Sequence, residues 1–192
     1  ELAKVVKKHD AMIAAHRRDE GNTAYESIDE MLTVARATGV RMNIAHVKVT
    51  GSSNWGKGKS LIKLIDDGIK EGLDLSLDAY PYIAGYTQLF QIFPISVWGV
   101  GGEQMLKNFS DPAYRADVIA KMTDGTYGGL KAANGGAAGV QVIQCPDPTF
   151  DKKTLAEISE ILHVDPVEAA IEMMERFGSN VMMFYYLQDM DE

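Results

Sequence analysis

Three times within the first 83 residues an apolar run of strand type is followed by a helical pattern. The runs are AMIAA at 11–15, VRMNIAHV at 40–47 and LDLSLDAY at 73–80. Equivalent points recur roughly every 30 residues, the length of a strand with its crossover helix. The first intervening helix is expected to open on a capping box, Ser27 with Glu30, to carry Ile28, Met31, Leu32 and Ala35 on one face, and to stop at Gly39. The second is expected to start at Ser60, to line up Leu61, Leu64, Ile65 and Ile69, and to end near Gly72. A helix with one apolar stripe must cover something, and in a βα array that is a parallel sheet. The expected fold class is therefore α/β with parallel strands and crossover helices, either an open doubly wound sheet or a (β/α)8 barrel.

Between 83 and 150 the pattern weakens. YIAGYTQLFQIFPISVWGVGG is rich in aromatics and glycine without a helical period, which predicts a long ordered loop or insert over a binding face. Short helices are expected over 102–109 and 112–122, the glycine-rich stretch 124–139 reads as the most flexible, and VQVIQC at 140–145 reads as a strand. Thr154 with Glu157 predicts a capped helix, and Asp165-Pro166-Val167-Glu168 a second, with Pro at its first position and Glu168 closing a box. NVMMFYYL at 180–187 reads as a last strand. Residues 1–192 are expected to form one domain. ELAKVVKKHD reads as a helix already under way, so the chain is expected to be a piece of something longer.

A formal net charge of -8 disfavours nucleic acid or an anionic membrane as partner, because both reward clustered Lys and Arg. No apolar run approaches the roughly 18 residues that a bilayer span needs. The single cysteine, Cys145, rules out an intramolecular disulfide, reads as a small buried hydrophobe, and sits well with a reducing, cytoplasmic setting.

The polar chemistry gathers where strands end. The first run leads into His16-Arg17-Arg18-Asp19-Glu20, the second into His46-Val47-Lys48, the third into Asp78-Ala79-Tyr80-Pro81-Tyr82. In parallel βα architectures the carboxyl ends of strands face a common ligand. One histidine in a strand is more often a hydrogen-bonded core residue. Two at the same phase of consecutive units should share a mouth, and imidazole suits zinc. His9 and His163, each near a helix end, read as surface residues. After the second strand comes VTGSSNWGKGKS at 49–60, which invites comparison with a phosphate-binding loop. That loop needs G-x-x-x-x-G-K-[ST]. Gly51, Gly56 and Lys57 fit, but Gly58 stands where the hydroxyl belongs; the frame ending Gly58-Lys59-Ser60 has Ser53 in place of the first glycine. Neither frame is complete.

The segments HRRDEG from His16, IAHVK from Ile44, NWGK from Asn54 and DAYPY from Asp78 resemble, in order and spacing, the T-H-M-R-x-E-G, I-S-H-x-K, N-W-G-K and D-x-Y-P-Y motifs of the D-aminoacylase (N-acyl-D-amino-acid deacylase) family of amidohydrolases. The resemblance implies a partial (β/α)8 TIM barrel, about strands five to seven, with zinc at the carboxyl ends of the strands. It makes His16 and His46 metal ligands and Lys48, Tyr80 and Tyr82 contacts to an N-acyl amino acid substrate. Arg18 takes the motif's arginine place, where it either touches substrate or braces the mouth by pairing with Asp19, Glu20 or Asp78. The GSSNWGKG loop becomes a tight turn close to the site, with Trp55 as a wall; a flexible loop with solvated Lys57 and Lys59 is the structural alternative. In this family zinc acidifies a water and polarises an amide carbonyl while a carboxylate shuttles the proton.

The family's first-strand metal motif, bridging ligand and last-strand catalytic Asp have no counterpart here, so no catalytic residue is assigned and the chain alone is expected to be inactive. Self-association or pairing with the missing strands is expected, since an incomplete sheet exposes its edges. Two other readings stay open: a cyclic-amide hydrolase of the hydantoinase or dihydropyrimidinase type, against which DAYPY and NWGK argue, and a non-catalytic α/β assembly module with structural histidines.

Overall fold

In the computed structural model, which describes residues 1–127 and 129–189, the chain divides into two compact units. The first comprises Glu1–Tyr82 joined by the segment that starts at Gln188; the second is Ile83–Leu187. Gly128, within the glycine-rich stretch, and residues 190–192 lie outside the described residues.

The first unit opens with α1 (Leu2–Lys8), whose last-turn lysines complement the helix dipole. Strands β1 (Met12–Ala15), β2 (Arg41–Ile44) and β3 (Leu75–Leu77) form a parallel sheet in that order. The register pairs Ala15 with Ile44 and Ile44 with Leu77, so the three carboxyl ends finish level. Between them run α2 (Ala24–Thr38) and α3 (Gly58–Lys70), making two consecutive βαβ units of the expected kind. Their apolar stripes meet the sheet: Ile28, Leu32, Ile44, Leu61 and Ile65 are at most 1% exposed. Gly39 ends α2 in the left-handed conformation (φ 64°) and returns its N–H to Ala35, a stop for which glycine has no Cβ penalty.

The predicted Ser27–Glu30 capping box does not form. Thr23 precedes the helix, and its hydroxyl donates to the Asp19 carboxylate at 2.8 Å. The helix therefore starts a turn earlier, leaving Ser27 buried and donating back to the Asp19 and Ala24 carbonyls, while Glu30 pairs with Arg18. Helix α3 likewise begins at Gly58 rather than Ser60.

The second unit is built differently. It contains β4 (Ala84–Gln88), α4 (Ile95–Trp98), α5 (Gly102–Phe109), α6 (Pro112–Asp124), α7 (Gly129–Ala132), β5 (Val140–Gln144), α8 (Leu155–Leu162), α9 (Pro166–Phe177) and β6 (Met182–Tyr186). Its sheet runs in the order β4-β6-β5, with both pairings antiparallel. The aromatic stretch after residue 83 thus supplies an edge strand and a helical turn as well as loop. Its sequence, AGYTQ, has polar residues and a glycine in place of a continuous apolar run, which hid the strand. The 180–187 run is the central strand, β6, of a separate sheet and does not extend the parallel array. The core of this unit, including Phe109, Leu155, Ile158, Ile171 and Met183, shares no residue with that of the first.

Two of its helix starts follow the sequence. The Thr154 hydroxyl accepts from Glu157 N at 3.2 Å, and the Glu157 carboxylate accepts from Thr154 N at 2.7 Å, closing a capping box on α8. Asp165 caps α9 with Pro166 in its first turn. Glu168 does not close a second box: Asp165 already satisfies the Val167 amide, and Glu168 instead accepts from Arg115 of α6 at 2.9 Å. Replacing Thr154 by Ala is expected to cost about 1 kcal/mol, measured by urea unfolding of the chain. Cys145 is buried, and desolvation pushes its thiol above the ordinary value. Among the described residues no helix is long and apolar enough to cross a membrane.

Candidate active site

His16 follows the last residue of β1, and His46 lies two residues beyond β2. Because those strands are adjacent and end level, the two rings meet, tilted by 41° with centroids 4.4 Å apart, and His16 Nδ1 contacts His46 Nε2. His46 has a left-handed backbone (φ 36°), which a non-glycine residue adopts only when its surroundings enforce it. Asp78, just past β3, provides the enforcement: its carboxylate accepts from His46 N at 2.7 Å and its carbonyl from Val47 N at 2.8 Å. The Asn43 amide donates to the same carboxylate at 2.8 Å. Those hydrogen bonds, Asn43 first, hold the Asp78 carboxyl below the usual carboxylate range.

Around the imidazoles lies a layer of charge. Lys48 Nζ is 2.8 Å from His46 Nδ1, 2.6 Å from Glu20 Oε2 and 5.4 Å above the centre of the Tyr80 ring. Glu20 Oε1 stands 2.8 Å from His46 Nδ1 without the alignment of a hydrogen bond. Desolvation lowers the pKa of Lys48, with Glu20 opposing and Arg17 reinforcing. Burial raises the Tyr80 phenol, helped by the charge of Glu20 and opposed by a hydrogen bond with Gln188. Tyr82 stacks on Tyr80 at 6.3 Å but is 71% exposed, so it reaches the cluster only through its neighbour.

The structure thus brings His16, His46, Lys48 and Tyr80 together and leaves Tyr82 at the edge. Lys48 does not arrive by strand alternation from His46, because β2 has ended at Ile44; the turn at His46 brings it round. Arg18, expected to brace the mouth, turns outward and grips Glu30 at 2.6 and 2.8 Å. Its neighbour Arg17 points inward instead, as the alternation of an extended segment dictates. Arg17 and Glu20 were missed by sequence reasoning as working members of the site; the available signal was that alternation and their spacing of three.

The loop at 49–60 is fastened beneath this cluster. Gly51 and Gly56 both take positive φ, 86° and 85°, which fits the expected tight turn. Between them the buried Asn54 donates to Asn22 and to the Thr50 carbonyl, each at 3.0 Å, while its own oxygen accepts from Lys57 Nζ at 2.7 Å. Lys57 is therefore held by the loop, whereas Lys59 is exposed.

Asp19 ties the start of this segment down. Burial raises its carboxyl pKa, but the hydrogen bonds from Thr23 and the backbone win, and the net displacement is downward. A depressed carboxyl contributes stability above its unfolded value and loses it as pH falls through the folded one. Asp19→Asn is expected to cost about 0.5–1 kcal/mol at pH 6, and the gap to wild type should close as pH drops below about 4. Urea midpoints followed by Trp55 fluorescence across that range measure it.

Two imidazole nitrogens converging from neighbouring strands have the donor chemistry of a zinc site. Among the described residues no group of three or more His, Cys, Asp or Glu side chains is assembled to hold a metal ion. Two imidazoles are one fewer than the three protein ligands usual for catalytic zinc.

No family model matches the chain. D-Aminoacylase of Alcaligenes xylosoxydans xylosoxydans is 36% identical over 91 residues, 47% of this chain and 19% of that protein. The N-acyl-D-glutamate deacylase of the same organism is 36% identical over 88 residues, 46% of this chain and 18% of the relative. The chain resembles the D-aminoacylase family over nearly half its length. Among solved structures, N-acyl-D-glutamate deacylase from Bordetella bronchiseptica, complexed with zinc and a phosphonate inhibitor, covers 99% of this chain at a TM-score of 0.67 and 20% identity. A D-aminoacylase crystal structure covers 98% at a TM-score of 0.65 and 22% identity. At that identity the likeness speaks for the mixed α/β fold alone. The chain spans 31% and 30% of the lengths of those two D-aminoacylase-type chains.

Proposed function

We propose that this chain is part of a zinc-dependent amidohydrolase that removes the acyl group from N-acyl-D-amino acids, and that β1–β3 are about the fifth to seventh strands of a (β/α)8 barrel. The observation that carries the proposal is the meeting of His16 and His46 at the level carboxyl ends of adjacent parallel strands. The pair supplies part of the metal's ligands, and the remainder, with the catalytic carboxylate, comes from outside this chain. A bound zinc ion supplies Lewis acidity toward an amide carbonyl and lowers the pKa of water. The chain's own residues do the binding work. Lys48, with Tyr80 beside it and Tyr82 at the edge of the cluster, meets the substrate carboxylate or acyl oxygen; Asp78 locks the backbone that carries His46. The partner is thus a small N-acyl amino acid, in a cytoplasmic setting compatible with the lone buried cysteine.

Zinc content and deacylation of N-acetyl-D-amino acids, measured on the full-length gene product, test the reading. Stoichiometric zinc with release of D-amino acids is the expected result. Activity confined to L-isomers would overturn the stereochemical assignment, and hydantoin opening without deacylation would favour a cyclic-amide hydrolase.

A further inference from the structure

We infer that Glu20, itself fixed by Arg17, is a positioning residue that aims the Lys48 ammonium at the substrate; this rests on Lys48 being a substrate contact, as proposed above. Arg17 has a fully buried side chain and holds both ends of Lys48. Its Nη2 donates to the Lys48 carbonyl at 2.7 Å, and the same nitrogen stands 3.7 Å from Glu20 Oε1, whose other oxygen is 2.6 Å from Lys48 Nζ. The Glu20 backbone is anchored independently, its carbonyl accepting from Thr50 N at 2.8 Å.

Stability alone does not account for this arrangement. Arg17 Nε and Nη1 are buried with no hydrogen-bond partner among the described residues, which costs free energy wherever it occurs. Glu20 stands between two cations, the buried Arg17 and the part-buried Lys48, so its carboxylate is held on one side while it holds the ammonium on the other. Donor counting points the same way. An ammonium has three N–H bonds. Glu20, His46 Nδ1 and, at 3.3 Å, the His46 carbonyl face all three of those of Lys48, and the last, the longest contact, is the one an anionic group beside Tyr80 would replace. Without the Glu20 carboxylate, the ammonium keeps only the His46 contacts and the face of Tyr80 and would turn to water, carried by its flexible stem.

The test uses Glu20→Gln, which keeps shape and removes charge, and Arg17→Met, each in the full chain with 13C-labelled lysine. In wild type the fixed Lys48 should show two inequivalent ε-methylene proton signals, displaced by the Tyr80 ring; in both variants they should merge and move to the position of solvent lysines, while the methyl signals of Ile44 and Leu61 confirm folding. Lys48 signals unchanged in Glu20→Gln would overturn the inference. In the full-length deacylase, Glu20→Gln should raise KM about tenfold, equivalent to about 1.4 kcal/mol, with kcat little altered, and adding it to Lys48→Met should raise KM no further. A fall in kcat at constant KM would overturn the inference. Merged Lys48 signals in the variants of a protein whose wild type deacylates nothing would support Glu20 as the group that holds Lys48, and would remove the deacylase reading instead.

Discussion

Phe109→Ala is expected to lower the stability of the second unit by about 3–5 kcal/mol, enough to unfold a marginal domain near room temperature. Phe109 ends α5 and is 1% exposed, with its ring between Phe93 and Tyr114 at centroid distances of 5.7 and 5.9 Å. Removing it takes away the transfer energy of a whole ring and leaves a cavity whose walls come from three separate segments. Such walls cannot close together without breaking the packing that each makes elsewhere. The two tryptophans separate the readout, since Trp55 belongs to the first unit and Trp98 to the second. In a Trp55→Phe background, the denaturant midpoint seen by Trp98 should fall sharply on Phe109 truncation. A change under 1 kcal/mol would mean that the aromatic cluster is not the keystone of that core. The corresponding change in the first unit, Leu32→Ala, should act on the Trp55 transition through a cluster with no residue in common.

Where local chemistry and the global fold agree, residue patterns predict the structure closely. The three strand runs, the stripe from Ile28 to Ala35, the stop at Gly39 and the Thr154–Glu157 box all appear as expected. Each is a short-range device, complete within a few residues. Where a side chain has two possible partners, pattern alone picks the wrong one. Glu30 could close a box or grip Arg18; Glu168 could close a box or reach Arg115 across 53 residues. In both cases an aspartate nearby, Asp19 or Asp165, already ties down the helix start. The second unit was hardest to read because its sheet depends on β6 lying between strands far away in sequence, β4 and β5. At the site, the histidine pair could be predicted from the strand period. The inward turn of Arg17 follows the alternation of an extended segment, but the arrival of Lys48 at Glu20 depends on a left-handed residue, His46, that nothing in the composition announces.

His46→Asn is expected to abolish zinc uptake by the full-length protein, and His16→Asn to do the same. A catalytic zinc with three protein ligands cannot lose one and keep its affinity when the replacement amide is a weak donor for this ion. The two variants differ in what else they disturb. His16 is exposed and its described contact is with His46, so its loss should leave folding intact. His46 carries a left-handed backbone, and Asn is among the few residues that tolerate it, so the Asp78 clamp should survive that exchange as well. Zinc loss with an unchanged melting curve in the metal-free state is therefore the signature of paired ligands. If both variants retain full zinc while the melting temperature falls, the histidines serve packing, and the meeting of their rings at the strand ends has a structural cause instead. The exchange at His46 separates the two accounts more cleanly than Ala would, because Ala disfavours the left-handed backbone and would disturb the turn and metal ligation together.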